Sequence, residues 1–158
     1  MRDNEDLIDV MKKKGNLTSE RVESSLLKVP RERFVPDKYR KRAYVDAPLS
    51  IGEGQTISQP SVVAKMTQWL EPEEGDKILE IGAGSGWQAA LLGNLVGNSG
   101  KVYTVERKEK LADRAEKNIR KVGLNNVEVV VGDGSTGLEE HEPYDGIICT
   151  AACPEIPE

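Results

Sequence analysis

The chain has 158 residues, of which 37% are hydrophobic and 31% charged, with a formal net charge of −5, a balance that suits one globular domain with a single core. No apolar run approaches the roughly 18 residues a bilayer-spanning helix needs, and residues 1–6 lack the apolar core of a signal peptide, so the expected location is cytoplasmic, with no membrane contact. Two cysteines, Cys149 and Cys153, and a lone histidine, His141, exclude a disulfide scaffold and make a poor zinc set; ordinary thiols and no metal are expected.

Charge is unevenly spread: residues 1–42 carry a net +4 and the remainder −9. Lys38, Arg40, Lys41 and Arg42 form the densest basic run. An isolated cluster of this kind reads as a solvated helix end, and nucleic acid is not expected as a partner.

Residues 4–14 read as a short helix, with Asn4 as its cap, acids in the first turn, lysines in the last and Gly15 as its stop. A second helix starts at Thr18, where Leu17 and Val22 can form a hydrophobic staple; Val22, Leu26 and Val29 continue its apolar face to Pro30. Residues 30–60 contain too many prolines and glycines for a long helix. Their aliphatic residues (Val45, Leu49, Ile51, Ile57) argue against disorder, so a functional loop is expected. From Pro60 a helical pattern returns, with Val62, Val63, Met66, Trp69 and Leu70 on one side, and Met66 and Trp69 expected in the core.

Strand and helix signals then alternate: strands at 77–81, 101–106, 127–131 and 144–149, helices at 87–96 and 108–122. Apolar strands in such alternation predict an α/β, doubly wound Rossmann-like fold, its parallel sheet covered on both faces and ordered third–second–first–fourth, behind an N-terminal helical cap. The expected division is 1–58, helical cap and substrate loop, and 59–158, the Rossmann-like core.

Chemistry concentrates where the first of these strands ends, at Glu80-Ile81-Gly82-Ala83-Gly84-Ser85-Gly86. A glycine turn between strand and helix brings bare backbone against a ligand. The spacing is Gly-x-Gly-x-Gly, not the dinucleotide Gly-x-Gly-x-x-Gly, and no Gly-Lys-Ser/Thr follows, so a P-loop is not expected. Glu80 would repel a pyrophosphate but attract an ammonium group. Glu106, at the end of the next strand, can accept from ribose hydroxyls, and Asp133, after the third, from an adenine amino group; the alternative is that both are polar strand ends. A ligand with an amino-acid tail, a ribose and no phosphate meets these demands, and S-adenosylmethionine has those parts.

These residues resemble the protein-L-isoaspartate O-methyltransferase family. Glu80 to Gly86 and the Ser85-Gly86-Trp87-Gln88 continuation are similar to its first methyltransferase motif. Gln55-Thr56-Ile57-Ser58-Gln59-Pro60 is the more discriminating match, joined by Pro30 to Pro36, Ala43 to Asp46, Gly132-Asp133-Gly134 and Thr150 to Pro157. The resemblance implies methyl transfer from S-adenosylmethionine to the α-carboxyl of L-isoaspartyl residues in damaged proteins and peptides. It implies Ser58 in the active site and Glu80, Gly82, Gly84, Ser85, Glu106, Asp133 and Gly134 at the cofactor. Ser58 also stands where a helix N-cap would. The resemblance further implies that the family chain continues past Glu158. The expected consequences are an open fourth-strand edge prone to self-association and, as the alternative function, a truncated S-adenosylmethionine-binding fold with impaired catalysis. A methyltransferase for another small-molecule or nucleic-acid acceptor is less favoured, because Thr150-Ala151-Ala152-Cys153-Pro154 stands where an amino-methyltransferase carries Asp/Asn-Pro-Pro-aromatic.

Overall fold

Two amphipathic helices open the chain in the computed structural model, which describes residues 3–152. Helix α1, Asn4–Lys13, is capped by Asp3, whose carboxylate accepts the Asp6 amide at 2.9 Å. Asn4, expected as the cap, lies one position inside and donates to the Leu26 carbonyl at 2.8 Å, fastening α1 to helix α2, Glu20–Lys28. Ser19, not Thr18, caps α2; the amides of Thr18 and Ser19 instead donate to Gln68 Oε1 at 2.6 and 2.9 Å. Leu17 and Val22 are buried all the same.

Residues 30–60 are more ordered than their composition suggests. Short 3-10 helices at Arg31–Arg33 and Asp37–Arg42 precede an antiparallel hairpin of β1, Leu49–Gly52, and β2, Gln55–Ile57. Its turn is left-handed at both Glu53 (φ 54°) and Gly54 (φ 69°), as tight hairpins require. β1 alternates, with Leu49 and Ile51 inward and Ser50 and Gly52 outward, but over only four residues, too short a run to mark a strand by pattern. The basic run lies on the second 3-10 helix, largely exposed, with Arg40 paired to Asp37 at 2.8 Å.

Helix α3, Pro60–Leu70, starts where expected, and Val63, Met66 and Leu70 of the expected face pack on the core, but the inward face is rotated away from Val62 and Trp69. Ser61, Val63, Ala64 and Thr67 are buried, whereas Val62 is 43% and Trp69 78% exposed. Polar anchors set this rotation. Gln68 bonds residues 16, 18 and 19, and the buried Thr67 hydroxyl is engaged on both sides, donating to Val63 O at 2.7 Å and accepting from Gln88 Nε2 at 2.8 Å.

The rest is a parallel sheet of β3, Lys77–Ile81, β4, Lys101–Glu106, β5, Val127–Val131, and β6, Gly146–Cys149, in the order β5-β4-β3-β6, as the doubly wound reading expects. Helices α4, Trp87–Val96, and α5, Glu109–Lys121, pack with α3 against one face through Ile78, Val102 and Ile148. Helix α4 is buried almost all round, which is why its sequence lacks a polar stripe. Among the described residues the opposite face is met by the segment 132–145, which carries short 3-10 helices at Gly134–Thr136 and Glu139–His141, with His141 stacked on Tyr103 at a ring separation of 4.0 Å. Among the described residues that cover is partial: β5 is a half-exposed edge, Val131 is 55% exposed, and Ile147 on β6 is 61% exposed. One apolar core runs from Leu7 and Leu26 through Trp87 and Leu91 to Ile78 and Ile148, and so continues across residue 58. Cys153 and the segment 153–158 lie outside the described residues.

Candidate functional site

The carboxyl ends of β3, β4 and β5 open onto a cleft of about 820 Å³. It lies beside β3, where the strand order β5-β4-β3-β6 reverses direction along the chain, the usual ligand crevice of an open parallel sheet. Ser58, Glu80, Gly82, Gly84, Ser85, Glu106, Asp133 and Gly134, the eight residues singled out from the sequence, all line it.

The glycines of the loop do different work. Gly82 has φ 99°, and a Cβ there would stand 2.9 Å from the Ala151 Cβ, so the loop passes against the segment after β6 at backbone distance. Gly86 has φ 86° and would meet Ala115 O and the Ile119 side chain at 3.1 Å, which lets α4 pack closely on α5. Ser85 is buried; its Oγ accepts the Trp87 amide at 3.4 Å, and its carbonyl accepts from Asn118 Nδ2 at 3.0 Å. The loop is therefore held from both sides before any ligand arrives.

The three acids are placed unequally. Glu106 is buried at the end of β4, its Oε2 accepting the Gly84 amide at 3.0 Å and its Oε1 the Lys108 amide at 3.0 Å. Each oxygen keeps a lone pair for a further donor. Asp133 is exposed; its Oδ1 accepts the Ser135 amide at 2.9 Å, and that bond holds its carboxyl below the usual range. Glu80 has no exposed surface. Its Oε2 accepts from the Thr104 hydroxyl at 2.6 Å, and its Oε1 lies 3.3 Å from the Thr150 hydroxyl, which also reaches Gly82 O at 2.7 Å. Burial pushes the Glu80 carboxyl up to about 8, against the opposing pull of the two threonine bonds. Glu80 thus props the glycine loop from below through Thr150, an arrangement different from an acid standing open in the cleft.

Ser58 follows β2 on the opposite wall. Its hydroxyl bonds no described residue, and α3 begins instead after Gln59, without a side-chain cap, so Ser58 does not serve as a helix cap. The hairpin that carries it is braced on α5: Arg114 Nη1 donates to Ile51 O, and Lys108 Nζ to Glu53 O.

Several contributors escaped the sequence reading. Thr104 and Thr150 hold Glu80. Gln88, the fourth residue of the Ser-Gly-Trp-Gln run, lines the cleft with its Oε1 buried and unpartnered, while its Nε2 is committed to Thr67. Polar residues at the end of a strand, or in the first turn after a glycine loop, were the available signal.

These residues fit S-adenosylmethionine. The loop offers bare backbone at Gly84, where a Cβ would meet only Ile51 Cδ1, at 3.6 Å. Gln88 Oε1 is an acceptor without a donor, and the Glu106 oxygens retain capacity for hydroxyls.

Comparison with known proteins agrees with this geometry. The model of the family "Protein-L-isoaspartate(D-aspartate) O-methyltransferase" matches residues 1–158. A protein-L-isoaspartate O-methyltransferase of Methanopyrus kandleri is 51% identical over 158 residues, covering 99% of this chain and 70% of that protein. One from Aeropyrum pernix is 50% identical over 153 residues, covering 96% of this chain and 59% of that protein. A solved structure titled protein-L-isoaspartate O-methyltransferase superposes with a TM-score of 0.85 at 37% identity, over 99% of this chain and 50% of its own. The chain thus spans between half and about two thirds of the length of these proteins. It belongs to the protein-L-isoaspartate(D-aspartate) O-methyltransferase family.

Proposed function

We propose that this chain binds S-adenosylmethionine and transfers its methyl group to the α-carboxyl of L-isoaspartyl residues in proteins and peptides, as a repair enzyme. The observation that carries this reading is the placement of the Ser58 hydroxyl, unbonded to any described residue, in the same cleft as the glycine loop and the strand-end acids. Family membership over residues 1–158 supports it.

S-adenosylmethionine, when bound, supplies a methyl group on a sulfonium that is already a good leaving group. The loop Gly82 to Ser85 seats its methionine end, with Gln88 Oε1 as acceptor for the ammonium and Glu80 holding the loop from beneath. Glu106 accepts from the ribose hydroxyls, and Asp133, beside Gly134, from the adenine amino group. An acceptor carboxylate is ionised at neutral pH, with a reference pKa near 4, so the chain need supply no general base. Its task is proximity and orientation: Ser58 donates a hydrogen bond to the acceptor carboxylate and holds it in line. Residues 1–58 present the acceptor and 59–158 the cofactor.

The same reading places the protein in the cytoplasm; no helix of the described residues is long and apolar enough to cross a membrane.

The deciding experiment incubates the chain with labelled S-adenosylmethionine and an isoaspartyl peptide beside its aspartyl twin. Label in the isoaspartyl peptide alone is expected. Calorimetric cofactor binding with no label in either peptide would instead favour the binding fold without turnover.

A further inference from the structure

Arg31 belongs to none of the cofactor or acceptor contacts above, yet with Glu80 it is one of two ionisable side chains among the described residues with no exposed surface. It is 0% exposed, at the start of the first 3-10 helix, and makes no ion pair with a described acid. Its guanidinium is spent on backbone carbonyls. Nη1 donates to Ala43 O at 2.8 Å and Val45 O at 3.2 Å. Nη2 donates to Ala47 O at 2.9 Å and Ser58 O at 2.9 Å, with Ile57 O at 3.5 Å. Nε has no partner.

The order of those carbonyls matters. Ala43, Val45 and Ala47 precede β1, and Ile57 and Ser58 end β2 and follow it. One planar fork therefore ties the two feet of the hairpin together and fixes the carbonyl of Ser58 itself. The next turn is fixed as well: Asp46 Oδ1 accepts the Ser61 amide at 2.9 Å at the start of α3. The guanidinium carbon lies 5.5 Å from the centre of the Trp87 ring, and the Trp87 indole N–H donates to Val29 O at 3.0 Å. Trp87 is the first residue of α4, directly after the glycine loop. Residues 29–31, the Ser58 segment and the cofactor helix thus meet at a single buried node.

Burying an unpaired guanidinium is expensive, and well-packed apolar residues of similar volume commonly serve stability as well or better. Its distinctive capability is geometric: a rigid fork of five donors can bridge carbonyls from two segments, which a lysine ammonium, a point donor, cannot.

We propose that Arg31 is the positioning residue of the acceptor subsite: by clamping the carbonyls on both feet of the β1–β2 hairpin it sets where the Ser58 hydroxyl stands relative to the glycine loop, and so governs isoaspartyl-carboxylate binding without touching the cofactor. This rests on the proposed function for its substrate, but the clamp itself can be tested without turnover.

The test compares wild type with Arg31→Lys in the whole chain. Amide hydrogen exchange should accelerate at least ten-fold within residues 43–58 while amides of β3 and β4 keep their protection. Affinity for S-adenosylmethionine, by calorimetry, should stay within three-fold. Where wild type methylates an isoaspartyl peptide, the variant's KM for that peptide should rise about ten-fold, with kcat changed less. Equal loss of cofactor affinity and peptide KM, or exchange that rises across the sheet as well, would make Arg31 a general core residue and overturn the proposal; so would unchanged loop exchange. If wild type does not turn over, the proposed function fails while the exchange result still decides the clamp. Should the lysine variant not fold, nitrogen-15 spectra of wild type carry the test: the Arg31 Nη protons should exchange far more slowly than those of Arg40, and equal rates would overturn it.

Discussion

Glu106 Oε2 accepts the Gly84 amide at 3.0 Å, so the acid that ends β4 holds the glycine loop that follows β3. Its other oxygen takes the Lys108 amide at the start of α5, which leaves the carboxylate oriented toward the cleft with lone pairs to spare. Glu106→Gln keeps the shape but turns one acceptor into a donor facing an amide donor. A hydrogen bond to a charged group contributes about 1.5–3 kcal/mol, so affinity for S-adenosylmethionine should fall on the order of 10- to 100-fold. Isothermal titration calorimetry checks it; an unchanged affinity would remove Glu106 from the cofactor site.

Ser58→Ala removes a hydroxyl in the cleft that no described residue engages. Cofactor affinity should be unaltered, while methylation of an isoaspartyl peptide slows roughly 10- to 100-fold, the worth of one charge-assisted hydrogen bond at the reacting carboxylate. Initial rates with labelled cofactor, beside calorimetry, separate the two effects. Equal losses of binding and turnover would refute a positioning role.

Glu80 predicts a pH dependence of stability in the ligand-free protein. Burial raises its folded-state value from 4.5 to about 8. Below the unfolded value both states are protonated and the contribution is fully present. As pH rises toward and through 8, the unfolded chain ionises while the folded one resists, and stability is lost at up to about 1.4 kcal/mol per pH unit. Glu80→Gln should flatten this slope and be more stable than wild type at pH 8. Denaturant midpoints between pH 5 and 9 test it, and parallel curves for the two proteins would reject it.

Gly82→Ala forces a side chain onto φ 99° and to within 2.9 Å of the Ala151 Cβ, where the backbone amide of Ala151 is also only 3.1 Å away. A loss of stability of about 1–3 kcal/mol is expected, together with weakened cofactor binding. Thermal melts with and without S-adenosylmethionine would show both.

Trp69, which helical spacing assigned to the core, is 78% exposed. Trp69→Ser should therefore change stability by no more than about 0.5 kcal/mol, where a buried tryptophan would cost several. Chemical denaturation distinguishes these outcomes at once.

The same helix shows where sequence reasoning ran out. Val62 and Trp69 complete a convincing stripe with Met66, which does pack on the core, but Gln68 and Thr67, both polar, hold the helix so that Val62 and Trp69 face outward, through partners at residues 16–19, 63 and 88. Nothing local announces such partners. By contrast β3, α4, β4 and β5 begin and end where the periodicity puts them, because each is bounded by its own glycines, polar turns or charged ends. Arg31 is the extreme case: in the sequence it is one more basic residue in a basic N-terminal segment, and only its five carbonyls give it a place.

From the sequence alone came the alternation of strand and helix, the strand order, the glycine loop, the three acids at successive strand ends and Ser58 ahead of Pro60. All but the last follow from spacing along the chain, which backbone geometry converts directly into position; the active-site place of Ser58 was what the family resemblance of residues 55–60 implied. Only the tertiary structure decided that Glu80 is sealed beneath the loop, that Ser58 does not cap α3, that residues 49–57 form a hairpin, and that one buried guanidinium closes its base. Those outcomes depend on which distant carbonyls and hydroxyls meet, and long-range hydrogen bonds leave no periodic trace in the chain that makes them.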